Sequence, residues 1–467
     1  MQNMSRKLIA IITTSVFIVL VPFLIVYSLG YNIQLNQKTL ENSFTVRVDT
    51  LPFGAEIRAN NKKLANSPAD LQTSPKNYIF LDITKENYVS ESFELKGDPK
   101  NNTGARVNNL WMLPKTPIVT KEASNRDKQI SIIDKYLISY NQRQNQYFVT
   151  ALRPDLSTFE TKDITLNNID KIGTSFSKTD SFCYLDSITQ QSFLNFEDSR
   201  MLIDWTKPLT NKESKLIFPF KSLKSQTCLN SQNIWLLDTQ NQLWRYNAIS
   251  NTIIFVDNQI DSLNMDLQTK YIWLRKSDII YRVGGNNPES FGVADIYLRN
   301  IFLKSESDTI SNISTIFQGV SLLSGSNLIV IYDNDKSIQY ISRNAKVSVS
   351  SDNAIFWLDT DNNLFVWNFI LKQNLRLGTI NLQTGEVPTI VYNNESKRVF
   401  IYIKQTNGQT TIHSVWYNKD VLNDYIVKYS YITWLNDLDS ASNEIHDKYQ
   451  YTLKNNKLEV YKLDNLL

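Results

Sequence analysis

The clearest signal along the chain is one pattern written twice. Residues 234–247 read IWLLDTQNQLWRYN and residues 355–368 read IFWLDTDNNLFVWN. In each, an apolar, aromatic-rich run ends at Asp-Thr, a polar stretch with Asn follows, and a second aromatic run closes on Asn. β-Branched and aromatic arms on either side of turn-forming residues predict a β-hairpin. Similar pairs of runs occur at 136–140 with 147–152, 182–187 with 192–196, 271–274 with 279–283, and 328–332 with 338–341. Two more lie at 398–403 with 411–417, bridged by Asn407-Gly408, and at 449–453 with 458–463. No long amphipathic helix interrupts them, so residues 118–467 are expected to be all β.

A hairpin that recurs at roughly 45 residues matches the four-stranded blade of a β-propeller. A blade cannot bury both of its faces alone, so stability requires that the ring close. About 350 residues at roughly 45–50 per blade predict seven blades, with eight as the alternative. The hairpins are expected to be the middle strands of each blade. A last strand near 458–463 is expected to complete a sheet begun near 130–133. A large β-sandwich array or two stacked β domains is the rival arrangement. The region is similar to propellers of the WD40-like class in architecture only, because no Gly-His and Trp-Asp pair recurs in register.

The N-terminal pattern is different. Residues 8–29 (LIAIITTSVFIVLVPFLIVYSL) carry no charge. About 22 such residues suffice to cross a ~30 Å hydrocarbon layer as a helix, and membrane helices tolerate a proline such as Pro22. Arg6 and Lys7 precede the stretch and the next basic residue is Lys38, which places residues 1–7 in the cytoplasm and the bulk of the chain outside it. A cleaved signal peptide would have a shorter apolar core and a small-residue cleavage site. Residues 30–43 are polar without a strong period and read as a spacer or a helical continuation.

Between 44 and 114 the pattern is that of short strands. Residues 44–49 and 78–83 alternate apolar and polar, residues 56–59 and 89–95 read as further strands, and Asn60-Asn61 and Asn66-Ser67-Pro68-Ala69 are turns. A small β-sandwich-like domain is expected. Pro52, Gly54 and Ala55, then Asn60-Asn61, then Ser67-Pro68, then Asn87-Tyr88 follow in an order that resembles the PEGA family. That family has a Pro-Glu-Gly-Ala turn, an Asn/Asp-Gly hairpin, a Thr-Pro turn and a Gly-Tyr pair. Phe53 stands where it has Glu, and Asn61 and Asn87 stand where it has Gly. Asn is the common non-glycine residue at positive φ, so the last two departures are compatible with the same backbone. The resemblance implies a non-catalytic module of bacterial envelope proteins. Pro114 and Pro117 interrupt pairing and mark the expected boundary with the propeller.

Composition adds constraints. The chain has 467 residues, 42% hydrophobic and 12% aromatic, enough for a large core. With 49 basic and 46 acidic residues the net charge is +3, so no electrostatic case for nucleic acid exists. The two cysteines, Cys183 and Cys228, are too few for a disulfide framework, and small cysteines buried in strands are commoner than pairs. Whether they pair is open at this point.

Candidate chemistry is sparse. Asp359-Thr360-Asp361-Asn362-Asn363 opens like a calcium loop, yet Leu364 stands at the position that needs Gly and Ile370 at the one that needs Glu. The turn at Asp333-Asn334-Asp335 fails in the same way, with Ile338 and Asn344. His413 and His446 lie apart without metal-ligand spacing. Neither Gly319-Val320-Ser321 nor Gly325-Ser326-Asn327 supplies a nucleophile elbow, and Gly284-Gly285-Asn286-Asn287-Pro288 has no helix behind it to hold phosphate. No catalytic, cofactor or metal residue is nominated. Trp235, Trp244, Trp273, Trp357, Trp367, Trp416 and Trp434 are expected mostly in the core, with one or two exposed as ligand platforms. The expected function is a membrane-anchored, extracytoplasmic binding or scaffolding protein, its partner a cell-wall polysaccharide, a peptide or an envelope protein. The alternative is an envelope lyase or glycosidase, with paired carboxylates or a metal in the propeller channel.

Overall fold

The computed structural model describes residues 14–18, 20–22 and 25, all helical, and residues 31–463 with breaks. The breaks of six or more residues are 97–104, 152–160, 166–181, 285–294, 299–309 and 420–425. No described helix is long and apolar enough to cross a membrane. Of the expected span 8–29 only the helical residues named above are described, and the rest lies outside the described residues. The linker is neither a plain spacer nor a helical continuation: Tyr31–Gln34 and Thr39–Asn42 form an antiparallel pair.

Among the described residues eight antiparallel sheets of three or four strands follow one another from residue 119 to 462, with a two-stranded pair, Leu209–Asn211 and Ser214–Leu216, between the second and third. Blade 3 holds Leu223–Asn230, Asn233–Asp238, Leu243–Asn247 and Thr252–Asp257 in spatial order. Blade 6 repeats it with Ala345–Ser351, Ala354–Asp359, Asn363–Asn368 and Gln373–Thr379. Blades 1, 4, 5 and 7 open at Lys128–Ile133, Ser262–Met265, Ile310–Ile316 and Val387–Asn393, and the first described strand of blade 2 is Phe182–Asp186. The opening strands of blades 3 to 7 lie each beside the next, Phe182–Asp186 lies beside the opening strand of blade 3, and the opening strand of blade 1 lies beside Asn443–His446, which opens blade 8. Among the described residues blade 2 has three strands, and each other blade has four.

The count is therefore eight, not seven. The opening strands of blades 5, 6 and 7 start at Ile310, Ala345 and Val387, closer together than the assumed repeat. One hairpin per blade had been visible in the pattern, and counting hairpins serves better than dividing length. The ring does close on an N-terminal strand, but a different one. Lys457–Lys462 pairs with Val119–Glu122, the outer strand of blade 8, whereas Lys128–Ile133 pairs within blade 1. The hairpin at 328–332 and 338–341 proves to be the outer pair of blade 5, because Gly319–Ser324 precedes it as the second strand.

Packing explains why the second strands read as unbroken apolar runs. Asn233–Asp238 and Ala354–Asp359 are buried at every position. Successive side chains point to opposite faces, and both faces are covered by neighbouring blades. In blade 3, Ile234 and Leu236 pack with Ile203 and Trp205 of the blade 2 region, while Trp235 and Leu237 meet Ile272 and Leu274 of blade 4. The repeat equivalents behave alike: Ile355 and Trp357 meet Leu328 and Val330 of blade 5, while Phe356 and Leu358 join Val399 and Ile401 of blade 7. Cys183 of blade 2 and Cys228 of blade 3 form a disulfide. Small cysteines buried in strands are more often unpaired, but here Phe182–Asp186 lies beside Leu223–Asn230 and brings the two residues together.

Residues 44–111 form two facing sheets. One orders Ala69–Thr73, Phe44–Leu51 and Ala105–Trp111, and the other orders Glu91–Lys96, Tyr78–Thr84, Glu56–Ala59 and Lys62–Asn66. Lys62–Asn66, Ala69–Thr73 and Ala105–Trp111 are strands that the alternation did not reveal. Asn60, Asn61 and Asn87 all adopt positive φ, which asparagine tolerates better than other non-glycine residues. Gly54 sits at φ +83° in the Leu51–Ala55 turn, where a side chain is disfavoured. Ser67 locks that turn: its hydroxyl accepts from Ala55 N at 3.0 Å and bonds Thr50 Oγ1, while its backbone exchanges hydrogen bonds with Gly54 and Ala55.

Candidate binding surfaces

The repeated Asp and Asn serve the fold. Asp238 is buried, and its Oδ1 accepts from the backbone N–H of Gln240 and of Gln242 at 2.8 Å, while Oδ2 accepts from Trp244 Nε1 at 3.0 Å. Asp359 does the same with Asn363 N at 2.7 Å and Asn363 Nδ2 at 3.0 Å. A carboxylate whose lone pairs meet the N–H groups of its own turn is an Asx-type cap. The resemblance to a calcium loop is thereby accounted for. Asn241 and Asn362 take the left-handed residue of each turn, and their carbonyls accept from Ile260 N and Ile380 N at 2.9 Å on the way to the next blade. The closing residues Asn247 and Asn368 cap the next turn, each Oδ1 accepting from the backbone two and three positions on.

The tryptophans are packed. Trp235, Trp273, Trp357, Trp416 and Trp434 are buried, and Trp244 and Trp367 are half-buried against blade cores. None offers an exposed platform. Among the described residues the exposed aromatic rings are Phe17 of the N-terminal helical segment, Phe53, Tyr78 and Phe80 on the small module, and Phe255 and Tyr340 on outer blade strands. His413 stacks on Tyr431 with centroids 5.1 Å apart and shares a 3.0 Å hydrogen bond with Thr433. Burial holds its imidazole below the usual range, with Glu386 opposing. The side chain of His446 lies outside the described residues. No group of three or more His, Cys, Asp or Glu side chains suited to a metal exists among the described residues.

Nothing in the chain's pattern signals the joint between the module and blade 7. Ile426–Lys428, between the last two strands of that blade, pairs with Glu91–Lys96 and extends the module's sheet. Arg398, in the second strand of blade 7, bonds Glu91, and both side chains are 0% exposed. The guanidinium also donates to the Trp111 carbonyl from Nε at 2.9 Å and Nη2 at 2.7 Å, and to Ser414 Oγ at 3.3 Å. Burial pushes the Glu91 carboxyl up and the Arg398 guanidinium down, each opposed by its partner's charge. Trp434 Nε1 donates to the Pro114 carbonyl at 2.9 Å, and Phe93 meets the edge of Trp416 at 5.7 Å. Val48, Leu81, Phe93 and Leu95 share one core with Val415, Trp416, Ile426 and Tyr429.

Beside the Leu51–Ala55 turn a groove of about 770 Å³ opens, with Glu56, Lys63, Lys85, Glu86, Tyr88 and Lys115 among its walls. Its chemistry is polar and of both charge signs. Glu56 is held by Lys63 and Arg58 at 2.7 Å each, which keeps its carboxyl below the usual range. Such a wall recognises by hydrogen bonds and charge, not by burying an apolar ligand.

No family profile matches the chain, and no curated protein matches its sequence. Solved structures of propellers resemble it distantly. BamB from Moraxella catarrhalis aligns over 74% of this chain and 99% of its own at 11% identity, with a TM-score of 0.43. The C-terminal WD40 domain of Sif2 covers 74% and 97% at 10% identity and 0.41. The Pan2 WD40 domain from Neurospora crassa covers 75% and 96% at 8% identity and 0.35. Likenesses this distant leave the propeller assignment to rest on the sheet topology.

Proposed function

We propose that this chain is a membrane-anchored, extracytoplasmic scaffold of the cell envelope, with a PEGA-like module holding an eight-bladed propeller toward a polysaccharide, peptide or protein partner. The observation that carries the reading is the shared core and buried ion pair that join the module to blade 7. A joint without slack fixes the propeller relative to whatever the module is attached to, which is what presentation of a surface requires. Two further observations support the location. The Cys183–Cys228 disulfide suits an oxidising compartment. The uncharged stretch 8–29 includes Val16, Phe17 and Ile18, which are exposed helical residues suited to lipid. The exposed aromatics and the polar groove give the partner its contacts.

The test is a glycan and cell-wall array probed with the full chain in lipid discs, with a chelator-treated sample in parallel. Selective binding unaffected by chelator supports the polysaccharide version. Absence of binding removes that version and leaves the protein or peptide partner. Accessibility of the propeller to protease added outside intact cells tests the location, and full protection there overturns it.

A further inference from the structure

We propose that the end of the small module at which its first strand begins lies on the outer surface of the lipid bilayer, with Tyr78, Phe80 and Lys96 as interfacial contacts. The proposal rests on the reading of 8–29 as an anchor and adds which part of the folded module meets lipid.

The hairpin before the module sets the height. Tyr31 lies two residues beyond the uncharged stretch and pairs directly with Asn42. Opposed residues of an antiparallel pair are about 5 Å apart, and the two further residues to Phe44 add roughly 7 Å. The chain goes out and comes back. Phe44 therefore starts the module within about 12 Å of Tyr31, and the two residues from Leu29 to Tyr31 put it within about 19 Å of the end of the uncharged stretch.

The strand registers identify which side chains share that end. Phe44 pairs with Thr73, the last residue of its strand, and the next strand starts at Tyr78. Tyr78 pairs with Lys96, while Phe80 lies beside the Asn60-Asn61 turn through Asn60 N to Phe80 O at 2.8 Å and Phe80 N to Asn60 Oδ1 at 3.0 Å. Tyr78 and Phe80 alternate with buried Ile79 and Leu81, so both rings face outward. The Lys96 ammonium sits 5.4 Å from the Tyr78 ring centroid. Aromatic rings with a lysine alongside are the composition of the headgroup region, where the ring is half solvated and the ammonium reaches phosphate. The propeller is held at the opposite end through Trp111 and Pro114 and reaches this end at the sheet edge, where Ile426 pairs with Leu95, while Tyr78 and Phe80 stay exposed on the sheet's outer face.

The molecule carries its own controls. Tyr78 is 48% exposed and Tyr340, on blade 5, is 47%; Phe80 is 53% exposed and Phe255, on blade 3, is 48%. Each tyrosine also has a cation 5.4 Å from its ring, Lys96 and Arg343 respectively. Full-chain protein is reconstituted into phosphatidylcholine–phosphatidylglycerol vesicles, recovered by flotation, and exposed to hydroxyl radicals with mass-spectrometric readout. Tyr78 and Phe80 are expected to oxidise at least about fivefold more slowly than Tyr340 and Phe255. Equal rates within both pairs, in protein that floats with the vesicles, overturn the proposal and leave the anchor standing. Protein that fails to float overturns the anchor and this inference together. Protection that grows with the number of chains per vesicle assigns the face to a second copy and also overturns it.

Discussion

Blades 3 and 6 and the module–blade 7 joint hold together in opposite ways. In the two blades, the buried Asp and the Oδ1 of the closing Asn cap their own turns within six residues, and the left-handed Asn reaches only the start of the next blade, 18 or 19 residues on. At the joint, Arg398 reaches Glu91 and Trp111 across about three hundred residues of sequence. Local devices can be copied from blade to blade, because each needs only its own turn. A joint made once needs a partner from elsewhere in the chain, and it fails if either side changes.

The largest effect is therefore expected at Arg398. Arg398→Ala leaves the Glu91 carboxylate buried without its counter-charge, and losing one member of a fully buried pair costs roughly 3–5 kcal/mol. Replacing both residues, Arg398→Met with Glu91→Leu, removes the unpaired charge and is expected to restore most of that loss. Denaturation midpoints of the two variants, with hydrogen exchange along Glu91–Lys96, check this. If the double variant is no better than Arg398→Ala, the ion pair is not what the joint depends on.

The same contrast explains what the chain disclosed before its structure was known. The hairpins at 234–247 and 355–368 were legible because their determinants are neighbours: aromatic arms, an Asp, an Asn. Chain length divided by an average repeat gives seven blades and not eight because the repeat length varies, with the opening strands of blades 5 and 6 only 35 residues apart, while the hairpin recurs in each blade. The strand at Ile426–Lys428 was illegible because three residues in an edge position carry no period, and their partner is Glu91–Lys96. Arg398 reads as an ordinary strand-end charge until Glu91 and Trp111 are placed around it. The aromatic contacts were misjudged for a related reason: tryptophan signals packing between blades, while the exposed rings are Phe and Tyr whose orientation depends on register.

A second break falls within the propeller but is also non-local. The Cys183–Cys228 link closes a loop with a sequence separation of 45, and such a cross-link contributes roughly 2–4 kcal/mol, chiefly by restricting the unfolded chain. Cys183→Ser with Cys228→Ser is expected to lower the unfolding free energy, read from denaturation curves, by that amount and to raise exchange in blades 2 and 3 before blade 6. Uniform loosening of all blades would mean that the ring responds as one unit.

The local devices should yield smaller and matched losses. Asp238→Ala and Asp359→Ala each strip a turn of a buried acceptor for backbone N–H groups, at about 1–3 kcal/mol. Asp238→Asn keeps one acceptor oxygen for Gln240 and Gln242 and is expected to lose less. Near-equal losses in the two blades sharpen the comparison, since they show one device used twice. A loss at Asp359 several times that at Asp238 would tie the blade 6 turn to the joint through their shared core.

The smallest effect is a dependence on pH at the edge of the joint. His413 lies in blade 7, stacked on Tyr431 and bonded to Thr433, with Glu386 the charge that opposes its lowered pKa. Because burial depresses the folded pKa, the unfolded chain binds the proton more readily between the two values. Stability from this group is thus complete above the unfolded value near 6.5 and falls as pH drops toward the folded one. One group changes stability by at most about 1.4 kcal/mol per pH unit in that window. Other groups titrate there as well, so the informative quantity is the difference between the native chain and His413→Phe, which keeps an aromatic ring against Tyr431 but does not titrate. The native chain is expected to lose more stability than the variant between pH 7.5 and 5.5. Identical pH profiles would show that His413 is solvated enough to take its proton in place, and that blade 7 is looser at this edge than at Arg398.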